Sequence, residues 1–294
     1  MLTIAEEIVA WMADRANNAL FPGSGLPAFD RPLVGLAAGA DPIFAFLRDD
    51  IGPEFYWTPE AAFARAFPDA PAPAEDLSVI AWVLPQTAAT RADHRACRDL
   101  PSLAWSRVRH YGEMVNEALR RHVVDWLAAR DVPAVAPTLA PGWDRRLSPR
   151  YGFASNWSER HAAHACGLGT FGLSDGLITP AGKAVRVGSV VARCELPATK
   201  RPYERHDAWC LRAVGTPCKA CIRRCPAGAI SEAGHDKGKC KDYIRGVTGP
   251  YVAREQMDGI AVNSCGLCQV GTPCEAGDPT RRKRRKAAEA ATTA

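Results

Sequence analysis

The chain has 294 residues, 47% of them hydrophobic and 23% charged, which is close to the average for globular proteins and excludes collagen-like, low-complexity and wholly disordered chains. This length allows two domains or one large one. The formal net charge is +5, and the segment 281–294 accounts for it with six basic residues and one acid. The rest of the chain is neutral, which argues against a broadly basic nucleic-acid-binding surface on the folded part.

The sequence shows neither a secretory signal nor a membrane span. Its start is acidic at Glu6 and Glu7 and lacks an apolar segment. The longest uncharged run, 259–274, has 16 residues rich in Cys and Gly, whereas a spanning helix needs about 20 mostly apolar residues. We therefore expect a cytoplasmic protein with no membrane association.

Helices and strands alternate in the predicted elements of the first two thirds. Thr3 and Glu6 fit a capping box that opens an amphipathic helix. The Pro-, Gly- and Ala-rich stretch 17–75 predicts little. The next predicted elements are a buried strand over 77–84, a helix over 103–130, and strands over 132–139 and 185–191. This alternation predicts an α/β layer across roughly 70–200.

Cysteine is the informative residue type. The chain has eleven cysteines, and eight of them fall between Cys210 and Cys274. In a reducing compartment such a set is more typical of metal binding than of disulfides. Eight thiolates are the number that two four-iron clusters need. The candidate ligands are Cys210, Cys218, Cys221, Cys225, Cys240, Cys265, Cys268 and Cys274.

The spacing within this set has a physical reason. In Cys218-Lys-Ala-Cys221, the loop can turn both sulfurs toward one cluster. Three further residues turn the chain away, so Cys225 is expected to ligate the other cluster, as the fourth cysteine does in two-cluster ferredoxins. Pro226 would stiffen that exit by restricting its own φ.

The main alternative is a zinc site. One tetrahedral site could combine Cys218 and Cys221 with Cys265 and Cys268. That arrangement leaves four cysteines unexplained, and the loop between the two pairs exceeds common zinc spacings. We therefore favour iron-sulfur clusters. The cysteines outside the set are interpreted as small buried hydrophobic residues without a role: Cys97, Cys166 and Cys194.

The stretch 218–230 resembles the ferredoxin module of epoxyqueuosine reductases and of reductive dehalogenases. Upstream, Glu159-Arg160, the glycine-rich segment 167–178 and the run 187–191 resemble the cobalamin-binding part of epoxyqueuosine reductases. Together these motifs cover roughly residues 75–278. The resemblance implies two-electron reduction of an epoxide, or removal of a halide, at reduced cobalt.

The fold class that the resemblance implies is α/β, more closely α+β, with a nitroreductase-like cofactor domain and then a small two-cluster ferredoxin-like module. The expected divisions are an N-terminal helical or irregular region 1–70, a cobalamin domain 71–200, a cluster module 201–280 and a basic disordered tail 281–294. Carried over by position, Cys218, Cys221 and Cys274 bind one cluster, while Cys225, Cys240, Cys265 and Cys268 bind the other.

A cofactor site in the first domain is also implied by the resemblance. Its expected residues are Arg160, Gly167, Leu168, Gly169, Gly172, Leu177 and Ile178. An arginine beside a cofactor could pair with its amide or phosphate oxygens, and the alternative is an ion pair with Glu159 or another acid. The glycines could let the backbone approach a flat cofactor, and the alternative is a structural tight turn.

Three departures from the family pattern stand out. Gly215 occupies the usual place of a ligand cysteine, and Cys210 could supply that ligand from a longer loop. Five residues separate Cys268 from Cys274, and Glu275 follows where the family has proline. At the position of the proton-donating aspartate the chain has Phe153, which cannot donate a proton. We therefore expect a substrate other than epoxyqueuosine.

The leading hypothesis is an iron-sulfur reductase that passes electrons from an external ferredoxin or flavodoxin through two 4Fe-4S clusters to cobalamin, with a small molecule or modified nucleoside as substrate. One alternative is an electron-transfer protein without cobalamin or a substrate of its own. Another is a zinc-stabilised RNA-binding protein. The basic run 281–286 is interpreted as a solvated tail or as a weak contact for polyanions.

Overall fold

A computed structural model describes residues 3–281 of the chain. Its helices are α1 Ile4–Ala13, α2 Pro42–Ile51, α3 Pro59–Ala66, α4 Ala88–Ala96, α5 Leu103–Ala128, α6 Glu159–Ala165, α7 Ala220–Arg224, α8 Lys237–Tyr243 and α9 Gly249–Glu255. Its strands are β1 Leu33–Ala38, β2 Ser78–Pro85, β3 Ala134–Val135, β4 Arg145–Ser148, β5 Gly152–Ser155, β6 Thr170–Phe171, β7 Leu177–Ile178, β8 Val185–Ala192, β9 Ile230–Ser231 and β10 Gly234–His235.

The core of the molecule is a four-stranded sheet in the order β1-β2-β8-β3, with every neighbouring pair antiparallel. All eight residues of β2 are buried. Its alternate side chains enter two separate apolar clusters, Val79 on one face and Ile80 on the other. Helices α2, α3 and α6 contribute to the first cluster, and α1 and α5 contribute to the second. The sheet is therefore covered by helices on both faces.

Trp82 fixes the position of α5 against this sheet. It lies opposite Gly188 in the β2–β8 register, and a Cβ at Gly188 would be 2.5 Å from the indole, so glycine makes room for the ring. The indole Nε1 donates to Asn116 Oδ1 at 2.9 Å, and Asn116 Nδ2 donates to the Val187 carbonyl at 3.0 Å. Because β3 pairs only with the end of β8, α5 supplies donors to the open part of that edge.

The opening helix forms as its capping box predicts. Thr3 Oγ1 accepts from the Glu6 amide at 3.3 Å, and the Thr3 amide donates to the Glu6 carboxylate at 2.7 Å. Ile4, Ile8 and Met12 are buried in the apolar cluster that α5 also lines. The prediction of an amphipathic packing helix is confirmed.

The predicted mixed fold of helices and sheet is confirmed, and the sheet is antiparallel, so the alternation of elements does not reflect parallel βαβ units. The strand predicted over 132–139 is mostly wrong. Only Ala134–Val135 pairs, because Pro133 and Pro137 lack amide donors, and a 3-10 turn follows at Pro137–Leu139. The stretch 17–75, for which the sequence predicts no clear elements, contains β1, α2 and α3.

The cysteine-rich segment is built from turns, short helices and one helical stretch over 237–255, in which a π-helical turn, Ile244–Thr248, joins α8 to α9. It packs against α5 through Trp105, which shares a small buried cluster with Ala184 and Val270. Within residues 3–281, no helix is long and apolar enough to cross a membrane. Of the predicted basic tail, everything after Arg281 lies outside the described residues.

Candidate functional site

Four cysteines from separated parts of the chain lie around one small cavity. Its lining includes Cys210, Cys218, Cys221 and Cys274, together with Lys183. Burial raises the pKa of the Cys221 thiol, the nearby Lys183 lowers it, and repulsion from the other three cysteines of the group raises it further. Each member of this first group therefore lies within electrostatic reach of Cys221.

A turn brings Cys210 into the first group. The amide of Val214 donates to the Cys210 carbonyl at 3.2 Å, and the amide of Thr216 donates to the Leu211 carbonyl at 2.8 Å. Gly215 has φ +78° in this turn, a backbone conformation that suits glycine. The residue at the expected ligand position thus forms the turn, and Cys210 lies beside the other three cysteines.

The other four cysteines form a second group. Burial raises the pKa of Cys268 to about 12, Lys183 lowers it, and Cys265, Cys225 and Cys240 raise it. Cys240 lies within α8, and the Cys225 sulfur accepts from the Ala229 amide at 3.3 Å. Such N–H···S bonds are a recognised influence on iron-sulfur clusters.

A glycine shapes the loop between Cys265 and Cys268. Gly266 has φ +73°, and a Cβ there would be 2.4 Å from the Trp105 ring. The His94 ring stacks on the Trp105 ring, with their centroids 4.0 Å apart. The loop is therefore packed tightly on α5, which holds its two sulfurs in place.

One buried N–H group near the second group, Arg224 Nη2, has no hydrogen-bond acceptor within residues 3–281. Arg224 otherwise donates to the carbonyls of Leu267 and Val270, both at 3.2 Å, and so ties α7 to the second ligand loop. Its positive charge also lowers the pKa of Cys265, against a larger effect of burial. Buried donors of this kind favour an anionic group as their neighbour.

The cysteines of the two groups are spread more widely than the ligands of a single metal ion. Among residues 3–281, no three His, Cys, Asp or Glu side chains are close enough together to hold one metal ion. A zinc ion needs its sulfur ligands at about 2.3 Å, whereas a four-iron core holds its four thiolates farther apart. The zinc alternative joined Cys218 and Cys221 to Cys265 and Cys268, and these pairs lie in different groups.

Glu275 stabilises the remodelled loop that carries Cys274. Its carboxylate accepts from Arg95 Nε at 3.0 Å and from the Gly271 amide at 2.7 Å. The side chain is 7% exposed, and its pKa is lowered because these donors outweigh the effect of burial. A charged hydrogen-bond network therefore restrains the chain where the resemblance leads one to expect a proline.

Protein atoms surround most of the predicted cofactor-binding residues. A Cβ at Gly169 would be 2.4 Å from the Ile178 carbonyl, and one at Gly167 would be 3.2 Å from the Lys200 carbonyl. The five residues that are buried are Gly167, Leu168, Gly169, Leu177 and Ile178. Arg160 is exposed and Gly172 half-buried. Close contacts with other parts of the chain explain why Gly167 and Gly169 are glycines. The set as a whole therefore does not form an open cradle for cobalamin. Its role in binding a cofactor stays a prediction.

Arg160 lies in a polar cluster that joins the glycine segment to the cysteine segment. Its Nη1 donates to the Asp175 carbonyl at 2.6 Å, and the Asp175 carboxylate lies 3.0 Å from His235 Nδ1. Of the alternative partners, Glu159 pairs instead with Arg120 at 2.9 Å, and the acid whose charge acts on Arg160 is Asp175. Asp175 was not predicted as a site residue, because the sequence Ser-Asp-Gly is typical of a turn. In the structure its φ is +55°.

Basic groups surround the position where the resemblance places a proton donor. Phe153 lies on β5 and is 42% exposed. Its carbonyl accepts from Lys237 Nζ at 3.0 Å, and Lys241 Nζ lies 4.0 Å from the centre of its ring. This arrangement places two cationic side chains beside Phe153, which itself has no proton to donate.

The three remaining cysteines lie apart from the two groups. Cys166 is fully buried in the apolar cluster on one face of the sheet, where burial raises its pKa. Cys194 is partly buried against the cluster on the other face. Cys97 lies at the end of α4, and its carbonyl accepts from Arg224 Nη1 at 2.8 Å.

No model of a protein family matches the chain, and no curated protein does. Among solved structures, epoxyqueuosine reductase from Bacillus subtilis is 15% identical over 93% of this chain and 65% of that chain, with a TM-score of 0.47. An epoxyqueuosine reductase solved with a modified tRNA stem loop is 18% identical over 93% and 65%, with a TM-score of 0.46. A reductive dehalogenase described as B12-dependent is 17% identical over 86% and 31%, with a TM-score of 0.47.

The chain thus spans just under two thirds of the length of these epoxyqueuosine reductases and about a third of that dehalogenase. These are the two families whose motifs the sequence resembles.

Proposed function

We propose that the chain is an iron-sulfur oxidoreductase that passes electrons singly from an external donor through two four-iron clusters. The observation that carries this proposal is the division of eight cysteines into two groups of four, each drawn from separated segments. Bound clusters of this kind supply one-electron transfer at low potential. The chain's own residues hold the ligand loops, and the Ala229 amide donates to the Cys225 sulfur.

The first cluster would be bound by the first group, Cys210, Cys218, Cys221 and Cys274. The second cluster would be bound by the second group, Cys225, Cys240, Cys265 and Cys268. Arg224 links α7 to the loop after Cys268, and Glu275 anchors the loop of Cys274. These contacts restrain loops that carry cysteines of both groups. The external donor would be a ferredoxin or flavodoxin.

Cobalamin is the acceptor that the sequence resemblance suggests. Of the residues predicted to contact it, only Arg160 and Gly172 have surface available. We derive no step through cobalamin, because the buried glycine segment does not provide the contacts expected of a cofactor site. If a substrate binds this domain, Arg160, Lys237 and Lys241 can orient an anionic group on it.

That same burial favours a second candidate function. A protein that carries electrons between partners needs the two cysteine groups and no cofactor in the sheet domain. The contacts that fill the space around Gly167 and Gly169 support this alternative directly. Size-exclusion chromatography after mixing the purified protein with hydroxocobalamin separates the two. Cobalt that elutes with the protein supports the cobalamin reductase, and protein free of cobalt supports the electron carrier.

The ligand assignment is tested by replacing one cysteine in each group. Cys265→Ser is expected to remove the second cluster, leaving about four irons per chain. Cys210→Ser is expected to convert the first cluster to a three-iron form with its own EPR signal. Cys97→Ser is the matched control and should retain both clusters. Retention of both unaltered clusters in Cys265→Ser and Cys210→Ser would refute the assignment.

A further inference from the structure

Lys183 lies in the turn between β7 and β8, and this turn is fixed against the loop that carries Cys274. The Lys183 amide donates to the Cys274 carbonyl at 2.9 Å. The preceding Gly182 has φ +89°, and a Cβ there would be 2.1 Å from the Glu275 carbonyl. Close backbone contact thus determines where the Lys183 side chain begins.

The Lys183 side chain is buried, and the residue is only 3% exposed. Within residues 3–281, its Nζ has one hydrogen-bond partner, Ser174 Oγ at 3.5 Å, and no carboxylate lies within ion-pair distance. The aliphatic part packs beside Gly176, whose Cβ position is 3.5 Å from the Lys183 Cδ. A buried ammonium group is stable only where an anion compensates its charge, and a serine hydroxyl does not supply one.

The neighbours of Lys183 indicate which anion it faces. It lines the same small cavity as all four cysteines of the first group. Its charge also acts on one cysteine of each group, Cys221 and Cys268. Four thiolates around a four-iron core carry a net negative charge, and reduction by one electron adds another.

We propose that Lys183 is the buried counter-charge of the first cysteine group and raises the reduction potential of the cluster that this group binds. The inference rests on the proposed iron-sulfur function and deepens it. Lys183 stabilises the extra negative charge that arrives with an electron from the ferredoxin- or flavodoxin-type donor. No bond forms or breaks, and no proton moves. Lys183 is a tuning residue and does not touch a substrate.

Two variants on different residues test this role. Lys183→Met removes the charge and keeps the apolar length. Ser174→Asp keeps Lys183 and places a carboxylate beside its Nζ. Both are expected to lower the midpoint potential of the first cluster, followed by EPR during a redox titration. The expected change is at least tenfold in the ratio of reduced to oxidised cluster at fixed potential, or about 59 mV for one electron.

Matched controls separate this effect from general disturbance. Lys200→Met makes the same chemical change at an exposed residue, and Ser174→Asn makes a neutral replacement of similar size. Both should leave the midpoint potential of the first cluster unchanged. Lys183→Arg keeps the positive charge and should have the wild-type potential. The signal of the first group is assigned by its conversion in Cys210→Ser.

The outcomes distinguish the inference from the function on which it rests. A wild-type protein without iron-sulfur signals overturns both. Normal signals with an unchanged potential in Ser174→Asp overturn the role of Lys183 and leave the proposed function standing. If Lys183→Met does not fold, Lys183→Gln removes the same charge with a polar side chain, and an unchanged potential in that variant overturns the role of Lys183.

Discussion

The central sheet and the cysteine-rich segment hold their structures by different means. In the sheet, β2 is buried along its whole length, and apolar side chains from both faces enter two large clusters. In the segment 201–281, the main helical stretch, 237–255, is interrupted by a π-helical turn, and the segment's own buried apolar cluster contains Val252, Met257 and Val262. The sheet domain can therefore be stabilised by apolar burial, whereas the segment would depend on the clusters that we propose it binds.

Removal of iron should give the largest difference between the two regions. Because a metal site rarely exists in an unfolded chain, metal-binding free energy contributes directly to folding. We expect amides in 210–275 to exchange rapidly with solvent in iron-free protein, while amides in β2 and β8 stay protected. Hydrogen exchange followed by mass spectrometry, with and without iron, measures both regions in one sample. Equal protection of 210–275 in the two states would contradict this account.

A core truncation should affect the sheet domain alone. Leu119 on α5 is fully buried in the cluster that packs against the sheet. Leu119→Ala is expected to lower the free energy of unfolding by about 2–5 kcal/mol. Urea unfolding of the sheet domain measures this loss, and iron per chain should equal that of the wild type. Loss of iron in folded Leu119→Ala protein would show that the regions are coupled.

A smaller effect is expected at the open edge of β8, where Glu113 pairs with Arg186 and Arg120, both at 3.2 Å. Burial opposes ionisation of Glu113, but Arg186, Arg120 and Arg109 together lower its pKa below 4.5. A lowered pKa in the folded state gives stability that is present above pH 4.5 and is lost as the pH falls through the folded pKa.

Glu113→Gln should therefore cost about 1–3 kcal/mol at pH 7 and show a weaker loss of stability below pH 4.5. Thermal unfolding at several pH values compares it with the wild type. The control is Glu117→Gln, at a half-buried glutamate one turn along the same helix. Parallel pH profiles for Glu113→Gln and the wild type would rule out this role for Glu113.

The smallest effect concerns the first helix. Thr3→Ala removes the side-chain cap of α1 and should cost about 1 kcal/mol. Thr3→Ser keeps a hydroxyl and should be close to the wild type. Differential scanning calorimetry measures both variants. A loss of several kcal/mol in Thr3→Ala would mean that Thr3 does more than cap a surface helix.

The parts of the fold predicted from sequence were those with a continuous local pattern. The apolar run of β2 and the three- and four-residue spacing in α5 identify their elements without reference to the rest of the chain. β1 was missed because its sequence, Leu-Val-Gly-Leu-Ala-Ala, is short and small, and it becomes a strand by pairing with β2. Such pairing depends on residues far away in the sequence.

The candidate site likewise has a part that the sequence predicts and a part that it does not. The spacing of the cysteines and their resemblance to a ferredoxin module predict two sets of ligands, and the structure places each set together. The burial of Lys183 was not predictable, because lysine is usually exposed and only the packing of the 179–184 turn encloses it. The glycines of 167–178 are ambiguous in sequence, since close contact with a cofactor and close contact with another strand require the same small residue.

The most direct measurement is iron and acid-labile sulfide per chain in protein purified and reconstituted without oxygen. Two four-cysteine groups predict about eight irons and about eight sulfides, with no zinc. A value near four irons would mean that one group binds no cluster. Zinc in place of iron would contradict the account of this chain as an iron-sulfur oxidoreductase.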